Sequence, residues 1–150
     1  RLRVPQTTRS VTVPRDTVQF EVGGSLGIRM CDVVSGHAQP DLSEDRVLEH
    51  TGHRQIHLVI MWPGYEQSGR YLHVQNDGLY ITRGRLANLV SDTVRHFLRA
   101  ASRKRRRHAR GSQQWTIGNN GIQFQDLWLL SVVRDGNIWR PEIEAHVRGP

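Results

Sequence analysis

The chain has 150 residues, is 37% hydrophobic and 23% charged, and carries four tryptophans, which suits one folded domain and argues against a chain disordered over most of its length. Its formal net charge is +7, but seven of its 21 basic residues fall between residues 99 and 110, and the remaining 14 equal the 14 acids. The basicity is therefore one local feature, and it does not argue for a basic fold as a whole.

A single cysteine, Cys31, excludes an intramolecular disulfide and a zinc site built on thiolates. It reads as a half-buried intracellular thiol. The longest clean apolar run, Leu58 to Trp62, is far short of the roughly 18 residues of a membrane span, and no signal peptide is visible. The chain opens on Arg1, which reads as a fragment or a processed form.

Residues 1–16 contain Pro5, Pro14 and many Thr, Ser and Arg, and read as an extended arm or edge strand ahead of a domain over 17–150. Residues 17–22 alternate Val18, Phe20 and Val22 on one face of a strand. Gly23-Gly24-Ser25 is a turn, and residues 26–34 return as a strand or pass into a helix near Cys31. After a loop at 37–41, residues 43–50 read as a short helix capped by Asp41 or Ser43 and ended by Gly52.

Residues 55–62 form the strongest strand, apolar enough for burial on both faces and so placed centrally. Pro63-Gly64 suits the centre of a type II turn. Residues 70–75 return, with Tyr71 and His73 on one side and Leu72 and Val74 on the other. Trp62 and Tyr65 either close one end of the core or offer a stacking platform.

Asn76-Asp77-Gly78 is a turn, and Thr82 caps the main helix. Leu86, Leu89, Val90, Val94, Phe97, Leu98 and Ala101 make its apolar stripe, with Arg85, Asn88, Asp92, Arg95 and Arg99 opposite. Past Ala101 the basic run reads as a helix end or a loop over 99–112. Residues 118–121 are a turn and residues 126–133 a second buried strand. Asp135-Gly136 predicts a type I′ hairpin into residues 138–147, where Pro141 predicts an edge strand or an early end. Glu142 and Glu144 share one strand face and read as solvated. The expected fold is α+β, a mixed or mostly antiparallel sheet with one long amphipathic helix packed on it.

Trp62-Pro63-Gly64-Tyr65, Ile81-Thr82-Arg83 with Leu86-Ala87, Asp126-Leu127 and Trp139-Arg140-Pro141-Glu142 together resemble an uncharacterised domain that recurs in mushroom-forming (basidiomycete) fungi. The resemblance spans roughly residues 17–145. That group has no assigned activity, so the resemblance implies a single domain and a fungal source and no catalytic residue.

Hydrolase, P-loop, zincin and dinucleotide signatures are missing, so the reading leans away from an enzyme, and no cofactor is expected. His50, His53 and His57 are spaced H-x2-H-x3-H, a weak metal candidate because no regular element sets their geometry. The strongest signal is the basic run: Arg99, Arg103, Lys104, Arg105, Arg106, Arg107 and Arg110, extended by Arg95. Guanidinium groups bind phosphate in pairs of hydrogen bonds, so the run predicts sequence-independent docking on DNA or RNA. The alternative is a protein–protein or self-associating module. The run is then a nuclear-import signal for a receptor, a dock for an acidic protein, or solvated surface. Either way the location expected is intracellular, and nuclear.

Overall fold

The computed structural model describes residues 1–6, 16–103 and 113–147. At its centre lie β10 (Leu127–Asp135) and β11 (Ile138–Ala145), paired antiparallel. β6 (Gln55–Ile60) runs parallel to β11, and β7 (Ser68–His73) runs antiparallel to β6. On the other side of β10 lie β2 (Thr17–Gln19) and β5 (Ile28–Arg29), and β1 (Leu2–Arg3) pairs with the end of β11. The result is a seven-stranded, mostly antiparallel sheet with main path β2-β10-β11-β6-β7 and β1 and β5 off that path; β8 (Gln75–Asn76) and β9 (Leu79–Tyr80) pair as a separate hairpin. With the 19-residue helix α2 (Arg83–Ala101) and the short α1 (Met30–Val34), the class is α+β. Among these residues no helix is long and apolar enough to cross a membrane.

The helix forms where its periodicity predicts. Leu86, Val90, Val94 and Phe97 are buried in the same apolar cluster as Leu58, Leu129 and Ile143 of the sheet. Its start is fully accounted for. Thr82 Oγ1 accepts from Arg85 N at 3.2 Å, while Arg83 N and Gly84 N donate to the carbonyls of Asp45 and Ser43 at 2.8 and 2.9 Å. Gly84 permits that approach, since a Cβ there would lie 3.1 Å from the Ser43 side chain. Thr82→Ala is expected to lower unfolding stability by about 1 kcal/mol in a urea titration.

This contact overturns the helix expected over residues 43–50. The segment is a string of turns with Leu42 and Leu48 at φ 56° and 71°, and Arg46 bridges Thr82. Val47 N donates to Ile81 O, and the Ser43 and Asp45 carbonyls face the start of α2 rather than their own chain. Only a single turn of 3-10 helix forms, at Glu49–Thr51.

Pro141 is a second correction. It lies inside a central strand, opposite Val132. Its carbonyl accepts from the Gln6 side chain, so its nitrogen faces that side too. Trp139 pairs with β6, and Glu144 and Ala145 pair with β1, so Pro141 sits in the gap between two partners and leaves no ladder bond unmade. The hairpin before it turns on Gly136-Asn137, one residue later than expected. Only Gly136 has positive φ, so the turn is not type I′.

Residues 17–22 do not make one strand. β3 (Glu21–Val22) leaves the sheet and pairs with β4 (Ser25–Leu26), leaving Val22 and Leu26 exposed. Asp41 holds this hairpin, its carboxylate accepting from Gly24 N at 2.8 Å and Gly23 N at 3.0 Å. Those two N–H groups hold its carboxyl below the usual carboxylate range. A depressed folded-state value means the link is complete above the ordinary carboxylate pKa and is lost as pH falls through the lower one. The difference in urea midpoint between the parent and Asp41→Ala is expected to hold from neutral pH to about pH 5 and to shrink below about pH 4.

Glu142 and Glu144 are not merely solvated. They pair with Arg3 and Arg1 at 3.2 Å each, fastening β1 to β11.

Candidate nucleic-acid interface

The end of α2 is set by its own side chains. Ala101 is the last buried apolar residue, and Ser102 turns its hydroxyl to the Arg99 carbonyl at 2.9 Å. Arg95 and Arg99 are four residues apart on the polar face, and Arg103 lies two residues past the helix, its N–H donating to Ala100 O at 3.3 Å. Arg99 and Arg103 are exposed, and Arg95 is half-buried. The partial negative charge at a helix C-terminus favours these cations but attracts no anion, so binding of phosphate there rests on the side chains. Lys104, Arg105, Arg106, Arg107 and Arg110 lie outside the described residues.

Beside these arginines, Asp92 gathers two guanidiniums and an imidazole. Arg95 donates to its Oδ1, His96 Nε2 lies 3.4 Å from Oδ2, and Arg70 of β7 lies 3.9 Å from the same oxygen. Two guanidiniums share one carboxylate, which leaves a positive surplus. Such partly exposed pairs are worth about 0–1 kcal/mol each, so a phosphate can take over these groups at small cost. Sequence reading missed Arg70 and His96. The four-residue spacing from Asp92 to His96 was readable, but Arg70 is brought in only by the pairing of β7 with β6.

A cleft of about 620 Å³ opens between the second half of α2 and residues 64–70. Arg70 and His96 line it, together with Tyr65, Glu66 and Phe97. The Pro63-Gly64 turn closes as expected, with Gly64 at φ 86° and Tyr65 N donating to Trp62 O at 3.1 Å. Trp62 itself is only 3% exposed and donates its indole N–H to Trp115 O at 2.6 Å. A ring buried this far presents no face to a base. Tyr65 is half-buried, and its hydroxyl accepts from Ile117 N at 3.0 Å. Residues 115–117 are thus tied to the Trp62–Tyr65 turn.

The three histidines are not brought together as a metal site. His50 pairs with Asp16 at 3.1 Å, while His57 stacks on Tyr71 with centroids 4.3 Å apart and planes 10° apart. His53 and His57 line a smaller cleft of about 270 Å³ by the β10–β11 turn. Among the described residues no three His, Cys, Asp or Glu side chains are grouped to hold an ion. Compared with known proteins, the chain matches no family model, no curated protein and no solved structure.

Proposed function

We propose that this is a non-enzymatic interaction domain, of the fungal group its motifs resemble, that docks on the phosphate backbone of nucleic acid. The observation that carries the reading is the row Arg95, Arg99, Arg103 at the end of α2, continuous in sequence with Lys104, Arg105, Arg106, Arg107 and Arg110. Arg70 widens the cationic surface beside the row. The domain outside the run is neutral, so the attraction is local and directs the ligand to this end. Contacts of this kind position a nucleic acid without reading its sequence. The basic run also has the composition that nuclear-import receptors read, which fits a nuclear location for the same protein.

The test is binding of a fluorescent mixed-sequence DNA duplex, and of an RNA, at 50 and 200 mM salt. It compares the parent with a variant in which Arg103, Lys104, Arg105, Arg106 and Arg107 become Ser or Gln. Strong salt dependence that the variant loses supports the reading, and no binding at 50 mM salt overturns it. A second reading, self-association, is favoured by β7. Among the described residues β7 pairs only with β6, and its Tyr71 is 60% exposed. A mass that rises with protein concentration in that same variant distinguishes it.

A further inference from the structure

We infer that the cleft between α2 and residues 64–70 receives one unpaired base, so that the preferred ligand is a single strand rather than a duplex. This rests on the phosphate-docking reading above and adds to it the form of the nucleic acid.

The cleft's volume of about 620 Å³ is that of a small-molecule site, which typically falls near 300–1,000 Å³. Its lining is divided. Tyr65, Phe97 and Ala100 supply apolar surface, Arg70 supplies a guanidinium and His96 an imidazole. The Tyr65 backbone is fixed by the turn bond to Trp62 O and its ring by the bond its hydroxyl accepts from Ile117 N, so little side-chain freedom remains to be lost on stacking. Glu66 also lines the cleft. Ala100 and Ala101 of the cleft wall lie in the same stretch of chain as Arg99 and Arg103, so a strand that inserts a base brings its phosphates to the basic end of α2.

A base within a duplex is stacked and paired, and extruding it costs a few kcal/mol. A base in a single strand has both faces free. Stacking on an aromatic ring is worth about 1–3 kcal/mol per base, or roughly five- to a hundredfold in affinity. The cleft therefore predicts a single-strand preference of that size, superimposed on a salt-dependent term that is somewhat steeper for the duplex.

The experiment needs no change to the protein in its first arm. Three fluorescent 12-nucleotide ligands are compared at one salt concentration: a mixed-sequence single strand, its duplex, and an abasic strand that keeps the phosphates and lacks the bases. The expected result is that the single strand binds about five- to a hundredfold more tightly than the other two. In the second arm Ala100, an exposed helix residue on the cleft wall, is changed to Trp to fill the space. Ala100→Trp is expected to remove the single-strand advantage and leave duplex binding unchanged. Equal affinity for the single and abasic strands overturns the base site while leaving phosphate docking intact. An Ala100→Trp variant that keeps the full single-strand preference also overturns it. Failure of all three ligands to bind at 50 mM salt overturns phosphate docking, and the base site with it.

Discussion

Changing Arg103, Lys104, Arg105, Arg106 and Arg107 to Ser or Gln is expected to abolish most of the duplex affinity and to flatten its salt dependence. Each phosphate neutralised releases counterions, so the logarithm of affinity falls with the logarithm of salt at a slope near −0.9 per contact. About five contacts predict a loss of roughly 10²–10³ in affinity between 50 and 200 mM salt for the parent. Each basic side chain removed lowers the slope by about 1, so the variant should respond only weakly to salt. Arg70, Arg95, Arg99 and Arg110 remain and supply the residue of the effect. The measurement is fluorescence anisotropy over a salt series. Because the five positions lie at and beyond the end of α2, thermal unfolding of the variant should match the parent. A parallel salt slope in parent and variant would place the contacts elsewhere on the surface.

Trp62→Ala is expected to lower unfolding stability by about 3–5 kcal/mol, the usual cost of deleting a large buried aromatic ring. Trp62 is only 3% exposed and lies 6.4 Å, centroid to centroid, from the tilted ring of Phe97. Its removal also strips the partner from the Trp115 carbonyl, and a buried acceptor left unpaired costs about 1–3 kcal/mol within the same total. At about 2–4 °C per kcal/mol for a chain of this size, the thermal midpoint should fall by roughly 10 °C. Trp62→Phe keeps the ring, loses the N–H, and should cost less than half as much. If Trp62→Ala left stability within about 0.5 kcal/mol of the parent while weakening single-strand binding, the residue would be a ligand platform and not a core residue.

The motifs behind the fungal resemblance contribute in this structure chiefly to folding. Trp62 closes the core, Thr82 caps α2, Asp126 accepts from Gln123 N at 2.9 Å, and Trp139 is buried in β11. Arg140 is 3% exposed beside Asp135, with Nε–Oδ2 at 3.7 Å. A pattern made of caps, turns and core rings specifies a scaffold. It is silent about chemistry.

Elements whose signal is local were legible in the sequence. The 3.6-residue stripe located α2, Thr82 marked its start, Pro63-Gly64 marked a turn, and the apolar runs located β6 and β10. These follow from periodicity, propensity and turn chemistry within a few residues. The basic run was equally plain, because charge is read by counting. Only the tertiary structure decided the rest. Residues 43–50 carry helical composition, yet their carbonyls serve the start of α2, a partner some 40 residues away. Pro141 is tolerated mid-sheet because two different strands share its flank. Arg70 reaches Asp92 because β7 pairs with β6, and the cleft exists because a turn and a helix end come together. Each of these depends on a partner distant in the chain, and no local preference encodes where that partner will be.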